Sequence, residues 1–205
     1  MIEGNSNSID TIFNWYKKLR IQTYYIMINT RASKIGGIGH VVEVDEAKFS
    51  KRKYEIDRIV RSAWVVGRVN LTTGKTFFVK VFYRNKHTLS QVLLENIEEG
   101  TIVVTDCWAG YVNLDSLEFI HYTVNHSLNF VDPITGANTQ AIENHWSVLK
   151  RKLSARFVTS RSDLCFYFAE FIFKSKFKIL CFIKIMEILT SFDYILLNST
   201  FFIKN

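Results

Sequence analysis

The alternation of apolar and polar positions divides the chain into helical and extended stretches. From Ile9 to Ile28, apolar side chains at Ile9, Ile12, Phe13, Tyr16 and Leu19 recur at the spacing of one helix face, with Ser8 or Asp10 placed to cap its start. Residues 1–8 read as a loose end. Lys34–Gly39 carries three glycines and reads as a hinge or linker. Val41–Asp45 is a short apolar run of strand type. Ala63–Asn70 and Thr76–Tyr83 are β-rich runs joined by Thr-Thr-Gly-Lys, which predicts a hairpin. Leu89, Val92, Leu93 and Ile97 give His87–Ile97 a helical period that Gly100 ends. Thr101–Asp106 and Phe119–Val124 are further stretches of strand. Asn138–Leu153 is a helix with one apolar stripe of Ile142, Trp146, Leu149 and Leu153, which makes Trp146 a core residue.

Three strands followed by alternating helices and strands predict an α/β fold. The order suits a ribonuclease-H-like mixed sheet flanked by helices, with a short helical segment in front. The division expected is 1–40 for the helix and glycine-rich linker, 41–173 for the main domain and 174–205 for a tail of different character. Between Ser175 and Asn205 there is no Gly, Pro, Ala, Val or Arg. That bias is typical of translated AT-rich DNA fused to a coding frame. The same stretch also reads as a real helix over Phe177–Leu189, where Lys178, Cys181, Lys184 and Glu187 recur every third position.

A length of 205 residues allows one well-formed core, and 48% hydrophobic content excludes a disordered chain. A net charge of +7 and an isoelectric point near 9.3 favour a polyanionic partner. The odd number of cysteines, Cys107, Cys165 and Cys181, lacks metal-like spacing and points to a reduced compartment. No signal peptide or membrane span is read in the sequence. The expected location is the nucleus in a eukaryote and the cytoplasm otherwise.

The candidate chemistry lies in three carboxylates. Asp45 closes the run VVEVD, Asp106 closes TIVVTD, and Glu143 sits on the predicted helix after Asn138. Asp45 and Asp106 are 61 positions apart and Glu143 is 37 further on, so only the fold can gather them. Two strand-end aspartates and a helical glutamate are what a two-metal phosphoryl-transfer site needs, because magnesium prefers carboxylate oxygen. Glu46 competes with its neighbour Asp45, and Glu43 shares the strand face of Asp45. Taken singly, each is an ordinary carboxylate at a strand end or on a helix surface.

Lys150 follows Glu143 by about two helical turns and could reach a DNA phosphate. Asn125 and His126 are candidates for hydrogen-bonding support of the acidic cluster, although a satisfied structural histidine reads equally well. Lys48, Lys51, Arg52 and Lys53, with Lys150, Arg151 and Lys152, could line a DNA track, although charge runs are usually solvated surface.

Several long motifs carry a family resemblance. They are KIGG at Lys34–Gly37, VEVDEAKFSKRKY at Val42–Tyr54, the W-V-x-G pattern from Trp64 to Gly67, TDCWAGY at Thr105–Tyr111, and VNHSLNFVDPITGANTQAIENHW at Val124–Trp146. Over about Lys34–Phe173 the chain resembles DDE transposases of the Merlin type and their bacterial insertion-sequence relatives. The resemblance implies a ribonuclease-H-like catalytic domain over 41–173, with Asp45, Asp106 and Glu143 as catalytic carboxylates and metal ligands and Lys150 as a following basic residue. It further implies magnesium or manganese as two divalent ions bound with substrate DNA. The implied partners are terminal-inverted-repeat and target DNA, with a homo-oligomer on DNA and no membrane.

The implied activity is metal-dependent DNA cleavage and strand transfer. Transposases of this group typically carry an N-terminal zinc-binding and helix-turn-helix region. Here Ile9–Ile28 stands in that place without a Cys/His cluster, and the tail departs from the pattern after about Phe173. The expectation is therefore a fragment or recruited descendant, with residues 1–40 a helical remnant of the DNA-binding region. The alternatives are a catalytically idle DNA-binding or interaction module and a nuclease acting on RNA–DNA hybrids.

Overall fold

The computed structural model describes residues 6–29, 34–49, 63–155, 164–187 and 190. Lys51, Arg52 and Lys53 lie outside the described residues. The elements in chain order are α1 (Ser6–Asn29), β1 (Ile35–Gly36), β2 (Val41–Phe49), β3 (Ala63–Asn70), β4 (Thr76–Val81), α2 (Lys86–Leu94), β5 (Ile97–Glu98), β6 (Ile102–Asp106), β7 (Ile120–Val124), α3 (Gln140–Ala155) and α4 (Leu164–Phe177). Packing sorts them into two units, Ala32–Arg161 and the pair of segments Met1–Arg31 with Ser162–Asn205. The three-part division drawn from sequence follows composition instead. It groups α4 with the main domain, whereas by packing α4 goes with α1.

The first unit is built on a five-stranded sheet in the order β4-β3-β2-β6-β7. β2, β3 and β4 run antiparallel, while β6 lies parallel to β2 and β7 parallel to β6. Three antiparallel strands continued by two parallel ones, with helices on the faces, form a ribonuclease-H-like sheet, as the sequence order predicts. The hairpin turn between β3 and β4 closes locally. Asn70 Oδ1 accepts from the N–H groups of Thr72 at 2.9 Å and Thr73 at 3.0 Å, and Gly74 takes the positive φ that a side chain would resist.

Because side chains alternate across a strand, β2 serves two different layers. Val42 and Val44 join Val66, Val103, Leu89, Val92, Leu93, Tyr111, Leu114 and Phe119 in the larger core under α2. The other face receives α3, whose Ile142, Trp146, Leu149 and Leu153 are all buried as the stripe predicts. Trp146 packs against Phe49 and Phe78, with ring centroids 5.7 and 5.1 Å away. Gly67 of β3 is what lets it approach, since a Cβ there would collide with the indole.

β2 runs past Asp45 to Phe49, because Glu46 to Phe49 also pair with β3, so Asp45 stands in mid-strand and does not close it as expected. Two other boundaries also differ from the sequence reading through non-local pairing. Ile35–Gly36, inside the expected hinge, pairs in parallel with Ile97–Glu98. That pairing takes Ile97 out of the expected helix, which ends at Leu94. Thr101 fastens the pair. Its hydroxyl donates to Glu98 O at 2.5 Å and accepts from Gly37 N at 2.8 Å.

In the second unit α1 packs on α4, with Arg20 Nε donating to Glu170 Oε2 at 2.9 Å. Residues 181–187 are helical, and Phe182 and Ile183 of this stretch are exposed, as is Ile179 just before it. Among the described residues, no helix is long and apolar enough to cross a membrane. Cys107, Cys165 and Cys181 form no disulfide.

Candidate active site

Asp45 and Asp106 are neighbours because β2 and β6 pair in parallel. The ladder matches Val41 with Ile102, Val42 with Val103 and Glu43 with Val104. Continued two residues further, the same offset sets Asp45 beside Asp106, so the 61-residue spacing in sequence equals the register of the sheet. Both lie on the α3 face, since Glu43 of β2 and Val104 of β6 turn that way by alternation. Each carboxylate is oriented by a following backbone N–H. Asp45 Oδ1 accepts from Glu46 N at 2.7 Å, and Asp106 Oδ1 accepts from Trp108 N at 3.1 Å.

Glu143 comes from the first turn of α3 and its side chain is 47% exposed. Its Oε1 accepts from the Thr139 hydroxyl at 2.8 Å and lies 3.4 Å from His126 Nε2. His126 Nε2 is also 2.9 Å from the same hydroxyl. Asn125, the other candidate from that segment, instead shapes the turn, with its Oδ1 accepting from Ser127 N at 3.0 Å.

The start of α3 is held from the sheet. Glu43 is 1% exposed, and its Oε2 accepts from the Ile142 N–H at 2.9 Å, with the Ala141 N–H adding a second bond. The next N–H back, that of Gln140, donates to Asn138 Oδ1 at 3.2 Å. Thr139 therefore leaves the capping of α3 to other side chains.

Glu46, the competitor of Asp45 in sequence, points to the opposite sheet face. Its fully buried side chain meets Arg84 Nη2 at 3.4 Å, with the buried Tyr111 beside it. The Arg84 guanidinium lies 4.8 Å from the ring centroid of Trp64 and 3.8 Å from that of Trp108. Strand alternation therefore separates Asp45 from Glu46, which sequence left open.

The site concentrates negative charge. Burial, then Glu46, Asp106 and Glu143, push the Asp45 carboxyl up to about 6. Burial likewise raises Glu46, with Arg84 opposing it, and raises Glu43 against its bonds to α3. Among the described residues, no three His, Cys, Asp or Glu side chains converge into a ready cation cage.

The basic candidates separate by position. Lys150 and Arg151 are exposed on α3, the helix of Glu143. Lys48 is exposed on the other face of β2, 5.7 Å from the Trp64 ring centroid. Glu43, Thr139 and Arg84 are structural partners of the site that sequence reasoning did not assign. The one available signal was Glu43, a carboxylate inside an otherwise apolar strand run.

This sheet, with two aspartates brought abreast at its centre and a glutamate on the covering helix, defines a ribonuclease-H-like domain. The chain belongs to the ISXO2-like transposase domain family, whose model matches residues 37–176. It is similar to an uncharacterized transposase-like protein of Haemophilus influenzae, 34% identical over 79 residues. That match covers 38% of this chain and 63% of the relative, so it spans less than two thirds of that protein.

Among solved structures it is similar to the simian T-cell lymphotropic virus intasome, at a TM-score of 0.43 and 13% identity, covering 70% of this chain and 52% of that one. It is also similar to the HTLV-2 integrase catalytic core domain in complex with magnesium, at a TM-score of 0.43 and 13% identity, covering 68% of this chain and 88% of that one.

Proposed function

We propose that the chain is the catalytic core of a DDE-type DNA strand transferase, with Asp45, Asp106 and Glu143 as its acidic triad. The observation that carries this reading is the register that sets Asp45 beside Asp106 on the face covered by the helix of Glu143. The donor set fits a hard divalent cation in its chemistry, because all three are carboxylates and their mutual repulsion favours a compensating positive charge. Magnesium or manganese held there would supply charge stabilisation at the scissile phosphate and activation of the oxygen nucleophile.

The chain's own residues do the rest. Asp45 presents an ionised carboxylate above pH about 6. The Trp108 N–H fixes one oxygen of Asp106, and Thr139 with His126 orients Glu143. Lys150 and Arg151, exposed on the same helix, bind the phosphates of element-end or target DNA. Two copies on DNA would act on the two ends of an element.

The test is magnesium- or manganese-dependent nicking and strand transfer, using duplexes that carry the inverted repeats flanking the coding sequence. Asp106→Asn is expected to abolish it, and undiminished activity in that variant would remove Asp106 from the triad. A second reading, a catalytically idle DNA-binding module, draws on one observation: Glu143 is engaged by Thr139 and His126. It predicts salt-sensitive DNA binding that metal and triad substitutions leave unchanged.

A further inference from the structure

We propose that Glu43 is a positioning residue that docks the first turn of α3 on β2 and so sets where Glu143 stands relative to Asp45. The inference rests on the triad reading above and adds a residue that the reading does not contain. Glu43 precedes Asp45 by two positions on the same strand, so the two side chains share a face. Its carboxylate is buried and accepts from the N–H groups of Ala141 and Ile142, respectively two residues and one residue before Glu143. These are backbone donors that no turn of helix can satisfy, at the positive end of the helix dipole.

A carboxylate is therefore the acceptor best matched to that point, and it crosses 99 residues of sequence to reach it. Nothing else described ties the backbone just before Glu143 to the strand of Asp45 through a buried hydrogen bond. An apolar side chain at position 43 would fill the space. It would leave two buried donors without an acceptor and would let the first turn of α3 shift away from the strand.

Three variants of the full chain separate positioning from simple filling. Glu43→Ala removes the acceptor. Glu43→Asp keeps the charge but draws the acceptor back by one methylene. Glu43→Gln keeps an acceptor oxygen at the original reach. Residue-resolved amide exchange, measured without metal or DNA, should show Ala141 and Ile142 losing protection by roughly tenfold or more in the Ala and Asp variants, with β6 amides still protected. The Gln variant should keep most of the protection.

Metal-dependent turnover should fall on the order of 10- to 100-fold in the Ala and Asp variants at nearly unchanged KM for DNA, and return toward wild type in the Gln variant. Unchanged protection at Ile142 in Glu43→Ala would overturn the proposal. So would lost protection accompanied by wild-type turnover. If Glu43→Ala does not fold, the contrast between Asp and Gln decides. A wild-type chain with no turnover at all would instead sink the catalytic reading, while the exchange measurement still shows whether Glu43 anchors α3.

Discussion

Arg84 lays its guanidinium 3.8 Å from the ring centroid of Trp108, the residue whose N–H holds an oxygen of Asp106. The same guanidinium reaches the buried Glu46, next in sequence to Asp45. One cation on the α2 side of the sheet thus braces the residues behind both aspartates of the α3 side. Arg84→Ala should cost about 2–4 kcal/mol, somewhat under the value for a fully buried pair because Arg84 is partly exposed. Urea unfolding measures it. Arg84→Lys should recover only part of the loss, because an ammonium cannot stack between two indoles as a guanidinium does.

Asp45 makes stability depend on pH in a defined direction. Its folded pKa of about 6 lies above the ordinary 3.8, so the folded chain holds that proton more tightly than the unfolded chain. The ionised carboxylate therefore costs stability. The cost is absent below pH about 3.8, grows up to about 6 and stays constant above, at roughly 3 kcal/mol. In chelator at pH 7.5, Asp45→Asn should melt higher than wild type, and the difference should vanish near pH 4. Manganese should then raise the melting temperature of wild type and not of the variant. A wild type more stable than Asp45→Asn in chelator at pH 7.5 would contradict this account.

Gly67 and Trp146 should be coupled. A Cβ at Gly67 meets the indole and also approaches Ile142 Cδ1 at 3.0 Å, so Gly67→Ala should destabilise by about 1–3 kcal/mol through overpacking. Combined with Trp146→Phe, which withdraws the second ring, the penalty should be smaller than the sum of the two single variants. A double-mutant cycle on thermal unfolding reads the difference. Strict additivity would mean that the two side chains do not compete for the same space.

The basic residues should separate by face. Lys150→Ala should weaken DNA binding and reduce the magnitude of the salt slope by about 1, with stability unchanged. Lys48→Ala should change neither, since Lys48 sits beside Trp64 on the far face of β2. Binding titrations at several salt concentrations distinguish the two, and equal effects would mean that the protein meets DNA on both faces.

Much of this arrangement was legible in the chain because its causes are local. Short β-rich and apolar runs located β3, β4 and β6, and a period of 3.6 located the stripe of α3, which buries one side of that helix and exposes the other. Asn70 to Lys75 announced a hairpin because its turn chemistry is complete within a few residues. The motifs around positions 45, 106 and 143 carried the family resemblance, and the strand order then agreed with the ribonuclease-H-like expectation.

What the sequence by itself determined is which residues can form strands and helices, and which carboxylates those elements carry. What only the tertiary structure decided is the sharing of roles among Glu43, Asp45 and Glu46. On β2, Glu43 and Asp45 point to α3 and Glu46 to the α2 core, and no local pattern says which layer lies on which side. Glu43 finds its partner 99 residues away at Ile142, and Glu46 finds Arg84 38 residues away. The glycine-rich segment at Lys34 became a strand for the same reason, its partner at Ile97 being remote. Periodicity reports what an element buries, whereas a hydrogen bond between distant residues exists only once the chain has closed on itself.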